Sequence, residues 1–284
     1  MIALVKPQHY ILYLVILISI SLAGPLVVYS GAPGSVAAFW RLMISSLLAI
    51  IPWLRNPRVE PLQVLAGVFL ALHFITWMQS LYLLPIGIST TIVIAYPLWS
   101  IIIDKAFRKE EISMRQITGT LIAFLAIAAM FIPMGGLDLN PLGLILSILG
   151  SLFAAVYFEI NRHFRSGGLP LSALLFPVYF TAAATALLYN IVNGIELLAY
   201  PTRTYLVFIM LAIIPMIGGH TLMNYLLKYY KASKVTVIAL GEPVGASIIA
   251  YYWFGQEIDA VHGFLMIIII LSLLLVLTEE EKAL

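Results

Sequence analysis

Cysteine is absent from the 284 residues, and charge is scarce: Asp, Glu, Lys and Arg together make up 10%, against about 25% in an ordinary soluble domain. The first absence excludes a disulfide framework and any cysteine-based metal or redox centre. The second excludes a solvated surface of ordinary extent. Chemistry-bearing patterns are missing too. No GxxxxGK[ST] occurs, so no P-loop in this chain couples it to ATP. HExxH, CxxC and GxSxG do not occur, and the GGHT of Gly218–Thr221 lacks the context of a phosphate loop. The expectation is a protein that is no enzyme, with no catalytic residue, no metal ligands and no cofactor. A net charge of +2 spread over short basic loops points to no nucleic-acid partner.

What the chain has instead is apolar length. Hydrophobic residues make up 62% and fill windows of about 20 residues, the length that crosses a hydrocarbon core as helix. Barrel strands would alternate apolar and polar residues, and these windows do not. The fold class expected is an all-α polytopic membrane protein with ten transmembrane helices. We place spans 1 to 10 at about 9–29, 35–54, 62–84, 87–105, 114–133, 141–162, 171–193, 205–228, 234–254 and 260–278. Pro and Gly mark the short loops between them. The window 10–28 is read as a retained first helix, since only Lys6 precedes it and no A-x-A site follows.

Basic residues orient the spans. With the N-terminus in the cytoplasm, every Lys and Arg falls on the inner side except Arg203 in an outer loop and Arg41 within span 2. Both termini are then cytoplasmic, and the protein sits in the cell membrane.

The chain also repeats itself. His73, Trp77, Tyr96-Pro97 and Glu111-Ile112 recur, 146 or 147 positions on, as His220, Asn224, Glu242-Pro243 and Glu257-Ile258. The first loop carries Arg108, Lys109 and Arg115, while the second carries no Lys or Arg. Equivalent loops on opposite sides of a bilayer mean inverted repeats, an architecture of secondary transporters. We divide the chain at the 134–140 segment into halves of five spans, 1–135 and 136–284.

Three strings carry a family resemblance. Tyr229–Ile258, with its Ala-Ser, its Glu-Pro pair and its apolar run into an acidic loop, resembles the C-terminal repeat of EamA-type proteins in the drug/metabolite transporter superfamily. Leu81–Gly119 is similar to the matching part of the N-terminal repeat, and Ala37–Ala49 to its second helix, with the aromatic-then-Arg step at Trp40-Arg41. The chain departs from the pattern where Tyr96-Pro97 replaces a Glu-Pro pair and where Tyr179 stands near the position matching Arg41. The resemblance implies five plus five helices and secondary transport by alternating access. It implies export of small metabolites, such as amino acids or related compounds. Facilitated exchange without ion coupling is the alternative, followed by a membrane enzyme or a non-transporting sensor subunit.

Substrate-binding residues are sought among polar and aromatic side chains at mid-membrane depth, where they are costly and face a cavity or a partner. Glu242 is foremost, lying between Gly241 and Pro243. His73 and His220 occupy equivalent positions, and a four-residue step places Trp77 and Asn224 on their faces. Tyr96 is the counterpart of Glu242 in the first half. Arg41 either receives an anionic group or forms a charge pair with Glu242. Protons are a candidate coupling ion, carried by Glu242 or a histidine. Pro97 and Pro243 mark helix kinks. Glu159 is expected to pair locally with Arg162 and His163, and Asp104 with Arg108. The partners implied are a small-molecule substrate and the lipid bilayer; monomer and homodimer both stay open.

Overall fold

The computed structural model describes residues 2–3, 7–131, 139–254, 257–279 and 281–282. Helices account for nearly all of this, as they must in lipid, where the backbone has to satisfy its own hydrogen bonds. Among the described residues, nine helical stretches are long and apolar enough to cross a bilayer: Gln8–Ser30, Gly34–Leu54, Pro61–Ser80, Ile86–Ala106, Pro141–Ser166, Leu171–Val192, Thr202–Leu226, Ala232–Ile249 and Ala260–Leu277. They match spans 1 to 4 and 6 to 10. The stretch expected as span 5 is the shorter apolar helix Met114–Met130. The division expected between the halves, at 135, lies outside the described residues.

Local chemistry sets the helix ends. Asn140 caps span 6 by accepting from Leu142 N at 2.9 Å and Gly143 N at 3.2 Å, with Pro141 in the first position, where its missing N–H costs nothing. Gln63 reaches back to Glu60 N at 2.7 Å at the start of span 3. Gly31 closes span 1 with φ 66°, a conformation that glycine adopts without Cβ strain.

Four spans are interrupted. Span 1 is α1 (Pro7–Ser21) and α2 (Ala23–Ser30), broken at Leu22. Span 2 is α3 (Gly34–Leu54) and span 3 is α4 (Pro61–Ser80). Span 4 is α5 (Ile86–Val93) and α6 (Tyr96–Ala106), broken at Ile94 and Ala95. Span 5 is α7 (Met114–Phe131), span 6 is α8 (Pro141–Ser166) and span 7 is α9 (Leu171–Val192). Span 8 runs from α10 (Thr202–Leu211) through a π-helical stretch, Ala212–Thr221, into α11 (Leu222–Leu226). Span 9 runs from α12 (Ala232–Thr236) through a 3-10 stretch, Val237–Gly241, into α13 (Glu242–Phe254). Span 10 is α14 (Ala260–Leu277).

Proline chemistry accounts for three of these interruptions. Pro97 and Pro243, expected as kinks within helices, are each the second residue of the helix that follows a break. Each lacks the N–H that would bond four residues back, so the preceding turn reorganises. Pro215 does the same inside span 8, where the π-helical winding takes up the lost bond.

Span 3 packs against spans 6 and 7, span 2 against span 7, span 5 against span 10, and span 1 against spans 8 and 9. Small residues set the closest of these contacts. A Cβ on Gly67 of span 3 would lie 2.6 Å from Val178 O and 2.7 Å from Thr181 Cβ of span 7. A Cβ on Gly245 of span 9 would run into Ser21 Oγ of span 1. Residues 2–3 pair antiparallel with 281–282, which brings the two termini to one end of the bundle.

The two local ion pairs expected from sequence do not form. Asp104 is fully buried and accepts from Ser233 N at 3.0 Å, tying span 4 to span 9. Arg108 instead pairs with Glu110 at 3.3 Å. Glu159 turns towards Asp104, Arg108 and Glu110, while Arg162 donates to Leu227 O at 2.5 Å. The i,i+4 rule describes exposed helix faces, and these side chains are packed between helices instead.

Candidate functional site

The interruptions meet at the centre of the bundle. The breaks of spans 4 and 9 bring Tyr96 and Glu242 to the wall of one cavity. Span 2 adds Arg41, span 3 adds His73 and Trp77, and the π-helical stretch of span 8 adds Pro215 and His220. Ile20 and Ala23 close it on either side of the span 1 break. The cavity measures about 20 Å³, room for about one water molecule. In this conformation the site is contracted and the side chains around it touch one another.

Five of the six residues expected to bind substrate therefore converge: His73, Trp77, Tyr96, His220 and Glu242. Asn224 does not join them. Its amide donates to Tyr157 Oη at 2.6 Å and to His220 O at 2.8 Å, and its oxygen accepts from Asn161 at 2.8 Å. It lies one turn beyond His220 and holds that turn against span 6. Tyr179, near the position matching Arg41, bonds Thr221 Oγ1 at 2.8 Å in the same polar layer.

Both histidines are held by rings. His73 donates from Nδ1 to Gly150 O at 2.8 Å, because a carbonyl can only accept. That bond fixes the ring against span 6, where it stacks on Trp77 at 5.9 Å between centroids. His220 stacks on Phe158 at 5.5 Å and meets Phe74 edge-on at 5.0 Å. The two histidine rings lie 6.0 Å apart. Tyr96 also stacks on Phe158, at 5.7 Å. Phe74 and Phe158 are central to this arrangement, and sequence reasoning missed them. An apolar aromatic in a membrane chain carries no signal that separates a residue packed beside a site from ordinary core.

Arg41 is 1% exposed, with its guanidinium 4.1 Å from the centroid of Phe74. Its Nε and Nη1 have no hydrogen-bond partner. Glu242 is 7% exposed. Both line the cavity, yet among the described residues no ion pair within 4.0 Å joins them. The indole N–H of Trp77 and Nδ1 of His220 also lack partners. Buried polar groups are nearly always satisfied, so three unsatisfied residues around one small space, Arg41, Trp77 and His220, are groups that a bound molecule could satisfy. Among the described residues, no three His, Asp or Glu side chains converge as they would to hold a metal ion.

The comparisons with known proteins agree with this architecture. Residues 141–278 match the model of the EamA-like transporter family. The chain is 25% identical over 260 residues to the S-adenosylmethionine uptake transporter of Rickettsia prowazekii (strain Madrid E), covering 87% of this chain and 83% of that one. It is 22% identical over 231 residues to the uncharacterized transporter YdfC of Bacillus subtilis (strain 168), covering 77% and 74%. A crystal structure described only as that of a protein superposes with a TM-score of 0.76 at 16% identity, covering 95% of this chain and 96% of that one. At that identity the likeness is one of fold.

Proposed function

We propose, for a chain that belongs to the EamA-type transporters of the drug/metabolite transporter superfamily, that a small metabolite crosses the membrane by alternating access through the cavity of Arg41 and Glu242. The observation that carries this reading is that Arg41, with two unsatisfied guanidinium nitrogens, and Glu242 face that cavity without bridging it. A transporter holds its substrate near the bilayer midplane, where helices are discontinuous. Here the breaks of spans 4 and 9 border the cavity and the π-helical stretch of span 8 supplies His220.

The packing scheme supports inverted repeats. Exchanging spans 1 to 5 with spans 6 to 10 turns the span 3–span 6 contact into the span 8–span 1 contact, and maps the 2–7 and 5–10 contacts onto themselves. The contracted cavity is then an occluded state, with one set of contacts to be released on each side. At one end are Asp104 with Ser233 and Gln116 with Ser233; at the other are Ser35 with Asn190 and Thr204 with Ser30.

His73, Trp77, Tyr96, His220 and Glu242 are the proposed contact residues, with Arg41 set to receive an anionic group and Asn224 supporting His220. Export of amino acids or related compounds, from the cytoplasm across the cell membrane and coupled to protons, is the working form of the proposal. Uptake is the second reading, because the Rickettsia relative is named for uptake of S-adenosylmethionine. A carrier without its own ATP site runs in whichever direction the gradients dictate.

Counterflow in proteoliposomes tests both. Vesicles loaded in turn with amino acids and S-adenosylmethionine are expected to exchange label for at least one of them, and Glu242→Gln is expected to remove the exchange. Flux unchanged by an imposed pH gradient would sink proton coupling. An absence of exchange for every compound, with folded protein, would sink the reading itself.

A further inference from the structure

A second cavity lies on the far side of the span 4 break. It measures about 320 Å³ and is lined by Ile92, Ala95, Leu98 and Trp99 of span 4, Phe124 of span 5, and Ser151 of span 6, with Ile102 and Ile148 at its rim. Ile102 is 55% exposed and Ile148 48%, so the cavity opens outward and is continuous with the lipid-facing surface of the spans. We propose that this crevice between spans 4, 5 and 6 is a binding site for a lipid acyl chain.

Three observations select that occupant. The wall is apolar except for Ser151, whose Oγ is buried without a partner. A stable water needs about two to four polar partners, and one hydroxyl does not hold a water chain. The volume exceeds by about twofold that of an apolar cavity that stays dry and takes up benzene. Left empty, the crevice forfeits the dispersion contacts of its whole lining. Around a membrane-spanning bundle, the apolar molecule present in excess is the acyl chain.

The position gives the site a consequence. Ile92 and Ala95 face the crevice while Val93, Ile94 and Tyr96 face the central cavity. On span 6, Ser151 faces the crevice while Gly150 O holds His73. One layer of backbone on each helix separates the two spaces. An acyl chain seated here backs the span 4 break from the lipid side.

The test reads binding and is independent of any transport assay. The full-length protein is reconstituted in phosphatidylethanolamine–phosphatidylglycerol vesicles doped with a phospholipid bearing a mid-chain diazirine, irradiated, and its adducts mapped by mass spectrometry. Adducts at Trp99 and Phe124 are expected to exceed those at Leu271, an exposed position on span 10, by severalfold. Filling the crevice with Ser151→Leu, or separately with Ala95→Leu, is expected to erase that excess and leave Leu271 unchanged. Adducts in the wild-type crevice no denser than at Leu271 would overturn the proposal without any variant being made. So would an excess that survives both fillings.

Discussion

Arg41 of span 2 and Glu242 of span 9 face one cavity of about 20 Å³ and form no ion pair across it. An arginine and a glutamate that share a cavity without joining differ from a structural salt bridge, which would close. Each single replacement, Arg41→Met or Glu242→Gln, strands the other charge in the bundle. A stability loss on the order of 3 kcal/mol is expected for either. The double variant removes both charges and is expected to recover most of that loss while showing no substrate counterflow. Thermal unfolding and flux, measured on the same preparations, separate the two roles. A double variant that still transports would make the pair structural.

Asn224 offers a contrasting case, since its amide is spent on protein partners. Asn224→Ala leaves Tyr157 Oη and Asn161 Nδ2 without their partner in the core. A loss of about 1–3 kcal/mol is expected, the cost of orphaning buried polar groups. Substrate affinity, measured on whatever fraction stays folded, is expected to fall less than in Glu242→Gln. Equal losses of affinity would place Asn224 among the contact residues.

Gly67 tests how tightly spans 3 and 7 are joined. Its added Cβ would meet backbone and a β-branched side chain, Val178 O and Thr181 Cβ, neither able to swing away. Gly67→Ala is expected to lower stability by about 1–3 kcal/mol through overpacking. Gly263→Ala, whose Cβ would meet only Ile258 Cγ2 at 4.0 Å, is expected to be neutral or mildly stabilising. Melting temperatures in one detergent compare the pair directly.

Asp259 caps span 10, accepting from His262 N at 2.9 Å and bonding the His262 ring at 2.7 Å. The backbone bond from His262, with the ring bond next, holds its carboxyl below the ordinary value of 3.8. A carboxyl depressed on folding stabilises the fold above its unfolded pKa, and that contribution is lost as pH falls through the folded value. Asp259→Ala is therefore expected to lower the melting temperature near neutral pH, and the deficit should shrink below about pH 4. A deficit constant across that range would mean that the cap works without its charge.

Most of the architecture was legible in the chain. Apolar windows, loop prolines and Asn140-Pro141 announce their elements locally, through hydropathy and the missing proline N–H. Pro97 and Pro243, expected as kinks within helices, each stand second in the helix that follows a break. Less was legible where partners come from other spans. Read along the chain, Asp104 has Arg108 as its partner four residues on; in the fold it accepts from Ser233 N, 129 positions away.

By itself the sequence determined the membrane class and the order of the apolar windows. Those properties depend on residues within one helix turn of each other, so they can be read along a line. Only the tertiary structure decided which polar residues share a space. It put Arg41 and Glu242 on one cavity, turned Asn224 towards Tyr157, and packed Phe74 and Phe158 against the residues that line it. The reason is rotational. A helix in lipid can present any face, and contacts such as Gly67 on Val178 and Gly245 on Ser21 choose which face turns inward.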